Sequence, residues 1–220
     1  MMKIMIGKIM RYLKTYEIVN SLNKLDEVFS EVNDYVNDLK KCEPGSLLYR
    51  GIPNAGKPYD IKMFEPVFDR YPINTPKDIH DDLNNLFYKK FGWYCRDGVF
   101  CFGNIYDNNT LKFDCDYAAT SENAYLVFPA DDYKIIWSPD VYDLFSELEY
   151  DENEDDEFSR DHSVLSDLVE KYKSGDLCKA LHYENEIMVD CEYYYLVNQK
   201  YKYEVIERIW GLTKEEFDNL

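Results

Sequence analysis

The chain has 220 residues, and its composition is that of a folded globular protein. Hydrophobic residues make up 45% of it and aromatic residues 16%, which is far above the range of disordered chains. It carries 43 acidic residues against 25 Lys and Arg, for a formal net charge of −18. A field of this sign repels phosphate backbones, so nucleic-acid binding is not expected. The charge serves solubility, or it suits a basic protein partner.

Cysteine and histidine usage gives no metal-binding pattern. No two cysteines form a CxxC pair, and the three histidines have no zinc-ligand spacing, so we expect no metal. The cysteines are expected to be buried free thiols, and they are Cys42, Cys95, Cys101, Cys115, Cys178 and Cys191. No apolar run approaches the roughly 20 residues that span a bilayer, and no signal-peptide pattern is present. A cytoplasmic protein is therefore expected.

The first half of the chain alternates helical and strand-like segments. Apolar residues recur at three- and four-residue steps from Leu22 to Leu39, which predicts a helix capped by Ser21 and stopped at Glu43-Pro44-Gly45. A short strand follows at 46–51, and then a proline-containing irregular loop at 53–73. A second helix is predicted from Pro76 to Phe91-Gly92, followed by a strand between Gly98 and Gly103.

The second half contains more strands. We expect a short helix at 118–124, and then a hairpin of 125–128 and 133–137 around the Asp131-Asp132 turn. Ser138-Pro139-Asp140 should cap a short helix, and the acidic stretch 147–157 should be a solvated loop. A helix from Leu165 to Tyr172 precedes three predicted strands, at 186–189, 193–197 and near 201–207. The predicted organisation is one α+β domain over 1–220, with a helical segment at 1–45, a core at 46–210 and an acidic loop at 147–162.

Arg50 is the first candidate functional residue. It closes an otherwise apolar strand in Tyr49-Arg50-Gly51. A guanidinium offers a rigid fork of donors for a phosphate or carboxylate, and a glycine beside it lets a ligand approach the backbone. The alternative is that Arg50 pairs with an internal carboxylate of the protein.

Glu184-Asn185-Glu186 is the second candidate, because it leads into a predicted strand. Residues two apart on a strand share a face, so both carboxylates would project side by side. Adjacent like charges raise a carboxylate's pKa, which is typical of acid–base pairs. A purely structural role at a strand edge is the alternative in so acidic a chain.

Together these segments resemble the motifs of the ADP-ribosyltransferase family. Leu48-Tyr49-Arg50-Gly51 is similar to its aromatic-Arg strand, and Glu184-Asn185-Glu186-Ile187-Met188-Val189 to its Glu-x-Glu strand. The middle strand of the family corresponds best to Phe100-Cys101-Phe102-Gly103, which lacks the usual hydroxyl side chains; Ala119-Thr120-Ser121 has hydroxyls but falls in the predicted helix. The resemblance covers about residues 47–197.

The resemblance implies a fold, a substrate and residue roles. The fold would be α+β with split β-sheets and flanking helices, and the substrate would be NAD. Arg50 would hold the NAD pyrophosphate, Glu186 would bind a ribose hydroxyl and stabilise an oxocarbenium-like transition state, and Glu184 would orient or deprotonate an acceptor. The NAD site would be lined by Tyr49, Arg50, Gly51, Phe100, Phe102 and Gly103.

The predicted function is therefore a mono-ADP-ribosyltransferase or an NAD-glycohydrolase-like protein. The alternatives are a non-catalytic acidic protein that binds or inhibits a basic host factor, and a component of a virion. The chain is small, acidic and rich in Tyr and Asn, which favours a bacteriophage protein acting in the host cytoplasm. It contains no GxGxxG, GxxxxGK[ST], HExxH or GxSxG motif. His80, on the second predicted helix, is expected to be structural rather than a base.

Overall fold

The computed structural model describes residues 23–52, 59–68, 75–103, 106–107, 110–111, 124–149 and 162–220. Within them the predicted α+β class is confirmed, because helices pack on an antiparallel eight-stranded sheet. The helices are α1 at 23–31, α2 Asn33–Leu39, α3 Lys77–Phe91, α4 Leu144–Glu149, α5 His162–Glu170, α6 Leu177–His182, α7 Lys202–Trp210 and α8 Lys214–Asp218. The strands are β1 Tyr49–Gly51, β2 Ile61–Phe64, β3 Val99–Phe102, β4 Tyr106–Asp107, β5 Thr110–Leu111, β6 Ala124–Pro129, β7 Lys134–Trp137, β8 Lys173–Ser174, β9 Glu186–Asp190 and β10 Tyr194–Asn198.

The main sheet has the strand order β2-β10-β6-β1-β3-β9-β7-β8, and each neighbouring pair is antiparallel. β4 and β5 form a separate two-stranded sheet. All residues of β6 and β10 are buried, which requires cover on both faces of the sheet. The sheet is therefore the centre of the fold.

Two groups of helices provide this cover. Phe29 of α1 and Tyr35 of α2 contact Phe128 of β6, with ring centroids 5.2 and 5.8 Å apart. On β9, Met188 instead packs in a second apolar cluster with residues of α3 and α5, where the rings of Phe87 and Tyr172 are 5.1 Å apart. Ile187 and Val189, on either side of Met188, belong to the cluster that contains the buried residues of α1 and α2. Because side chains alternate along a strand, the two helix groups lie on opposite faces of β9.

The helix α3 shows how local sequence defines an element. Its apolar residues at helical spacing, Ile79, Leu83 and Phe87, are all buried against the second cluster. The helix ends at Phe91, and Gly92 follows in the left-handed conformation with φ 80°, which a glycine adopts without steric cost. The predicted end of this helix is confirmed.

One predicted strand pairing and one predicted strand are wrong. β6 and β7 do not form a hairpin, because β6 pairs with β1 and β10 while β7 pairs with β9 and β8. The Asp131-Asp132 turn is present, with Asp132 at φ 61°, but a turn does not determine which strand pairs with which. The segment near 201–207 is helix α7 rather than a strand. Its Val205, Ile206 and Ile209 are buried at helical spacing, so packing overrides their strand preference.

The expectation of free cysteines is wrong for one pair. Cys42, after α2, and Cys178, in α6, form a disulfide with Cα atoms 5.0 Å apart, across 136 residues of sequence. Cys95, Cys101 and Cys191 are buried free thiols, as expected. Disulfides are typical of oxidising compartments, so this bridge does not favour the predicted cytoplasmic location. That location stays a prediction. None of the helices in the described ranges is both long and apolar enough to cross a membrane.

The remaining predictions of secondary structure agree with the structure only in part. The first predicted helix is divided at residue 32 into α1 and α2, and the loop at 53–73 contains β2. Residues 147–149 of the acidic stretch belong to helix α4 rather than to a loop. Ser21, Cys115, residues 118–123 of the predicted short helix and residues 150–161 lie outside the described residues, and Ala124 is the first residue of β6.

Candidate functional site

The sheet places the three motif-bearing strands side by side. β1 carries Arg50, β3 carries Phe100 and Phe102, and β9 begins with Glu186, and these strands are consecutive neighbours in the order β1-β3-β9. Tyr49 pairs with Phe102, which in turn pairs with Glu186. Segments that are 50 to 140 residues apart in the chain, roughly, thus meet within one sheet, because β-sheet pairing is non-local.

Arg50 reaches from β1 across to the middle strand. It lies opposite Tyr125 of β6, and its Nη1 donates a hydrogen bond of 2.8 Å to the carbonyl oxygen of Phe100. The side chain is half-buried. A guanidinium has five N–H donors, so this single bond leaves donors that can contact an anion.

Glu186 is a buried carboxylate in an ion pair. It is 5% exposed, and its Oε1 lies 3.7 Å from Nη1 of Arg96, which is 6% exposed. The guanidinium carbon of Arg96 lies 4.8 Å from the centre of the Phe100 ring. Phe100 therefore links both candidates, because its carbonyl binds Arg50 and its ring contacts the partner of Glu186.

Glu184 is placed differently from the sequence expectation. β9 begins at Glu186, so Glu184 lies in the bend before it and is half-buried. Strand alternation, which predicted two side-by-side carboxylates, does not extend to this residue. The bend is held by hydrogen bonds from Asn185 Nδ2 to the carbonyl of Ser138, at 2.7 Å, and from Glu186 N to the carbonyl of Tyr142, at 2.8 Å.

The other residues predicted to line the NAD site pack within the fold. Tyr49 is buried in the larger core cluster, Gly51 is buried at the end of β1 opposite Ala124, and Phe102 is half-buried. Gly103 lies against the chain itself, since a Cβ there would be 2.5 Å from the carbonyl oxygen of Tyr183. A glycine is needed at this position because the end of α6 passes so close.

Sequence reasoning missed the buried Arg96 and Tyr172, and it did not connect His80 with the Glu186–Arg96 pair. Arg96 lies in a short 3₁₀ helix between α3 and β3, His80 in α3, and Tyr172 after α5. Burial first, and then the charge of Arg96, lower the pKa of His80; burial first, and then the charge of Glu186, raise the pKa of Tyr172. Both groups are therefore neutral near pH 7. His80 was interpreted as structural, and no sequence signal connects any of the three to Glu186.

A groove of about 780 Å³ lies elsewhere, and none of the predicted site residues lines it. Its lysines are paired within the protein: Lys41 is 2.7 Å from Asp38, Lys90 is 3.0 Å from Glu170, and Lys134 is 3.1 Å from Asp190. Because each of these lysines has an acidic partner, the groove is not suited to an anionic ligand. The neighbourhood of Arg50 and Glu186 has the more distinctive chemistry.

Metal and thiol chemistry find no support in the described part of the chain. There, no group of three or more His, Cys, Asp or Glu side chains could hold a metal ion. Burial, as the leading cause, raises the pKa of the Cys101 and Cys191 thiols to about 12 in each case. Such thiols are not nucleophiles near pH 7.

Comparison with protein families, with curated proteins and with solved structures gives no match for this chain.

Proposed function

We propose that this protein is an NAD-dependent mono-ADP-ribosyltransferase or NAD-glycohydrolase-like protein with its site on β1, β3 and β9. The observation that carries the proposal is the adjacency of these strands. Three segments selected in the sequence by their motifs occupy neighbouring positions, and Arg50 and Glu186 are linked through Phe100.

The connection from β6 to β7 supports the split-sheet form of the fold. Three strands lie between β6 and β7, so in a flat sheet they would be roughly 19 Å apart, at about 4.8 Å per strand. The chain passes from Pro129 to Lys134 in five steps, which span at most about 18 Å when fully extended. This connection contains a turn at Asp131-Asp132, so it is shorter than that. The sheet must therefore curl strongly, as it does in a fold with split sheets.

In the proposed reaction, Arg50 binds the pyrophosphate of NAD through its remaining donors. The glycosidic bond to nicotinamide breaks with its electron pair leaving on nicotinamide, and the positive charge develops on the ribose. Glu186 hydrogen-bonds a ribose hydroxyl and stabilises this charge electrostatically. Water or a side-chain acceptor then attacks the ribose and loses a proton, for which Glu184 in the bend before β9 is the candidate base.

The test is nicotinamide release from NAD, measured by chromatography, together with transfer of labelled ADP-ribose to proteins of a host lysate. Glu186→Gln keeps the size of the side chain but removes its charge, and it should lower release at least about 100-fold, as loss of an electrostatic catalytic group does. Glu192→Gln, an exposed position in the turn after β9, is the matched control and should match the parent. Equal activity in the parent and Glu186→Gln, or none in the parent with either assay, would refute the enzymatic function.

A second candidate, the non-catalytic acidic protein that binds a basic host factor, is favoured by the burial of Glu186. A carboxylate that is 5% exposed and paired with Arg96 also has a structural explanation. In that case binding would depend on the net charge of −18 rather than on the site. Capture of one basic protein that is lost at high salt but unchanged by Arg50→Ala would support this candidate, because salt screens surface charges.

A further inference from the structure

Two tyrosine side chains next to Arg50 have buried hydroxyl groups without a hydrogen bond. The hydroxyl oxygens of Tyr59 and Tyr125 are both buried, and neither has a hydrogen-bond partner among the described residues. Buried polar groups in proteins are nearly always paired, because an unpaired one costs free energy. A ligand that accepts hydrogen bonds at this place would remove that cost.

Both tyrosines lie on the face of the sheet that carries Arg50. Tyr125 of β6 is directly opposite Arg50 of β1, and such opposed residues have Cβ atoms roughly 5 Å apart and share a face. The ring of Tyr59, which precedes β2, stacks on the ring of Tyr125, with centroids 4.7 Å apart and 23° between the planes. Tyr59 therefore covers Tyr125 beside the guanidinium.

The Tyr59 hydroxyl is a neutral donor within electrostatic reach of Arg50. Burial, as the largest cause, raises the pKa of Tyr59, and Tyr125 and Tyr194 raise it further, whereas the charge of Arg50 lowers it. The outcome is a pKa well above the ordinary value for tyrosine. The hydroxyl is thus protonated near pH 7, so it can donate a hydrogen bond to a negatively charged acceptor.

A phosphate group suits this set of donors. Nη1 of Arg50 binds the carbonyl of Phe100, and the other N–H groups of the guanidinium can hold phosphate oxygens. A phosphate has further oxygens that accept from hydroxyls. Arg50 and Tyr59 are half-buried, so a ligand can approach them from solvent. A rotation of the Tyr59 side chain, of the kind that is common on binding, gives the ligand access to both hydroxyls.

We propose that Tyr59 and Tyr125 complete an oxyanion site with Arg50, in which the guanidinium supplies the charge and the two phenol hydroxyls supply neutral donors to one phosphate group. The inference rests on the proposed function only for the identity of this phosphate, which would be part of the pyrophosphate of NAD. The site itself takes a phosphate or pyrophosphate whether or not the protein is an enzyme.

Isothermal titration calorimetry with inorganic pyrophosphate, at constant ionic strength, tests the site directly. The parent should bind pyrophosphate, and Arg50→Ala should not. Tyr59→Phe and Tyr125→Phe keep the stacked rings and should each bind roughly tenfold more weakly, because each loses a hydrogen bond to a charged group. Tyr88→Phe is the matched control and should bind as the parent does, since Tyr88 of α3 also stacks on a tyrosine, Tyr94, with centroids 4.7 Å apart.

Three results would overturn the proposal. The first is a parent that does not bind pyrophosphate. The second is affinity within about twofold of the parent's in both Tyr59→Phe and Tyr125→Phe, which would show that the hydroxyls do not contact the anion. The third is a marked fall in the thermal midpoint of Tyr125→Phe without pyrophosphate, because a hydroxyl that has no partner in the protein stabilises nothing.

Nicotinamide release from NAD separates the oxyanion site from the proposed function. Tyr59→Phe and Tyr125→Phe should raise the KM for NAD roughly tenfold with kcat nearly unchanged, since a contact with the pyrophosphate holds the substrate and the transition state alike. Release with an unchanged KM in both variants would overturn the tyrosine site and leave the proposed function intact. Tyrosine-dependent binding of pyrophosphate by a protein that releases no nicotinamide would refute the proposed function and leave the oxyanion site intact.

Discussion

The Cys42–Cys178 disulfide should contribute strongly to the stability of this protein. It closes a loop across 136 residues, and it connects the end of α2 to α6, the helix that leads to the bend before Glu186. The chain-entropy relation for such a loop gives about 5 kcal/mol at 25 °C, and loss of a native disulfide typically costs about 2–5 kcal/mol. We therefore expect reduction to remove a large part of the free energy of unfolding.

Urea unfolding followed by tryptophan fluorescence, with and without a reducing agent, measures this contribution. With a slope of about 2.5 kcal/mol per molar urea, a loss of 5 kcal/mol lowers the midpoint by about 2 M. The double variant Cys42→Ser/Cys178→Ser is the control, since its midpoint should be low and should not respond to reductant. Cys95, Cys101 and Cys191 have no disulfide partners in the structure and give no such response.

Two results would refute this reasoning. Mass spectrometry of the non-reduced protein would show no loss of two hydrogens if the bridge does not form. If the bridge forms and its reduction changes the midpoint by less than about 0.3 M, the entropy of this loop is not what stabilises the fold.

Three further predictions concern single residues. Arg96→Met alone should cost about 3–5 kcal/mol of unfolding free energy in chemical denaturation, because it removes the guanidinium beside the buried Glu186 carboxylate. The double variant Arg96→Met/Glu186→Met should be closer to the parent, and equal losses would show that the pair is not coupled. Gly103→Ala should cost about 1–3 kcal/mol, since its Cβ meets backbone 2.5 Å away, and a thermal midpoint equal to the parent's would contradict the close approach of α6. Burial alone would raise the pKa of Asp38, but hydrogen bonds from Lys41 and Tyr133 outweigh it, so the pKa is lowered in the folded protein. Asp38 therefore stabilises the folded protein at pH values above the ordinary pKa of an Asp side chain. This stabilisation is lost as the pH falls through the pKa of the folded state. The unfolding midpoint of Asp38→Asn should accordingly fall less between pH 5 and pH 2, roughly, than that of the parent, and parallel profiles would exclude this contribution.

Much of the secondary structure followed from local sequence. The periodicity and the terminal Gly92 of α3, and the strands that contain Arg50, Phe100 and Glu186, were predictable because spacing and turn residues act over a few positions. The order of these strands could not be derived from spacing. It depends on pairings between distant segments, which is also why the predicted β6–β7 hairpin was wrong although its turn at Asp132 is present.

The candidate site, too, could be predicted from the sequence only in part. The sequence by itself determined that Arg50 and Glu186 stand on strands, because each follows or begins a short apolar run. Only the tertiary structure decided that Glu186 is buried beside Arg96, 90 residues away in the chain, and that Cys42 bonds to Cys178. Charge pairing and disulfide formation depend on distances of a few ångströms between side chains, and residue type and local spacing do not determine such distances for segments that meet only in the folded chain.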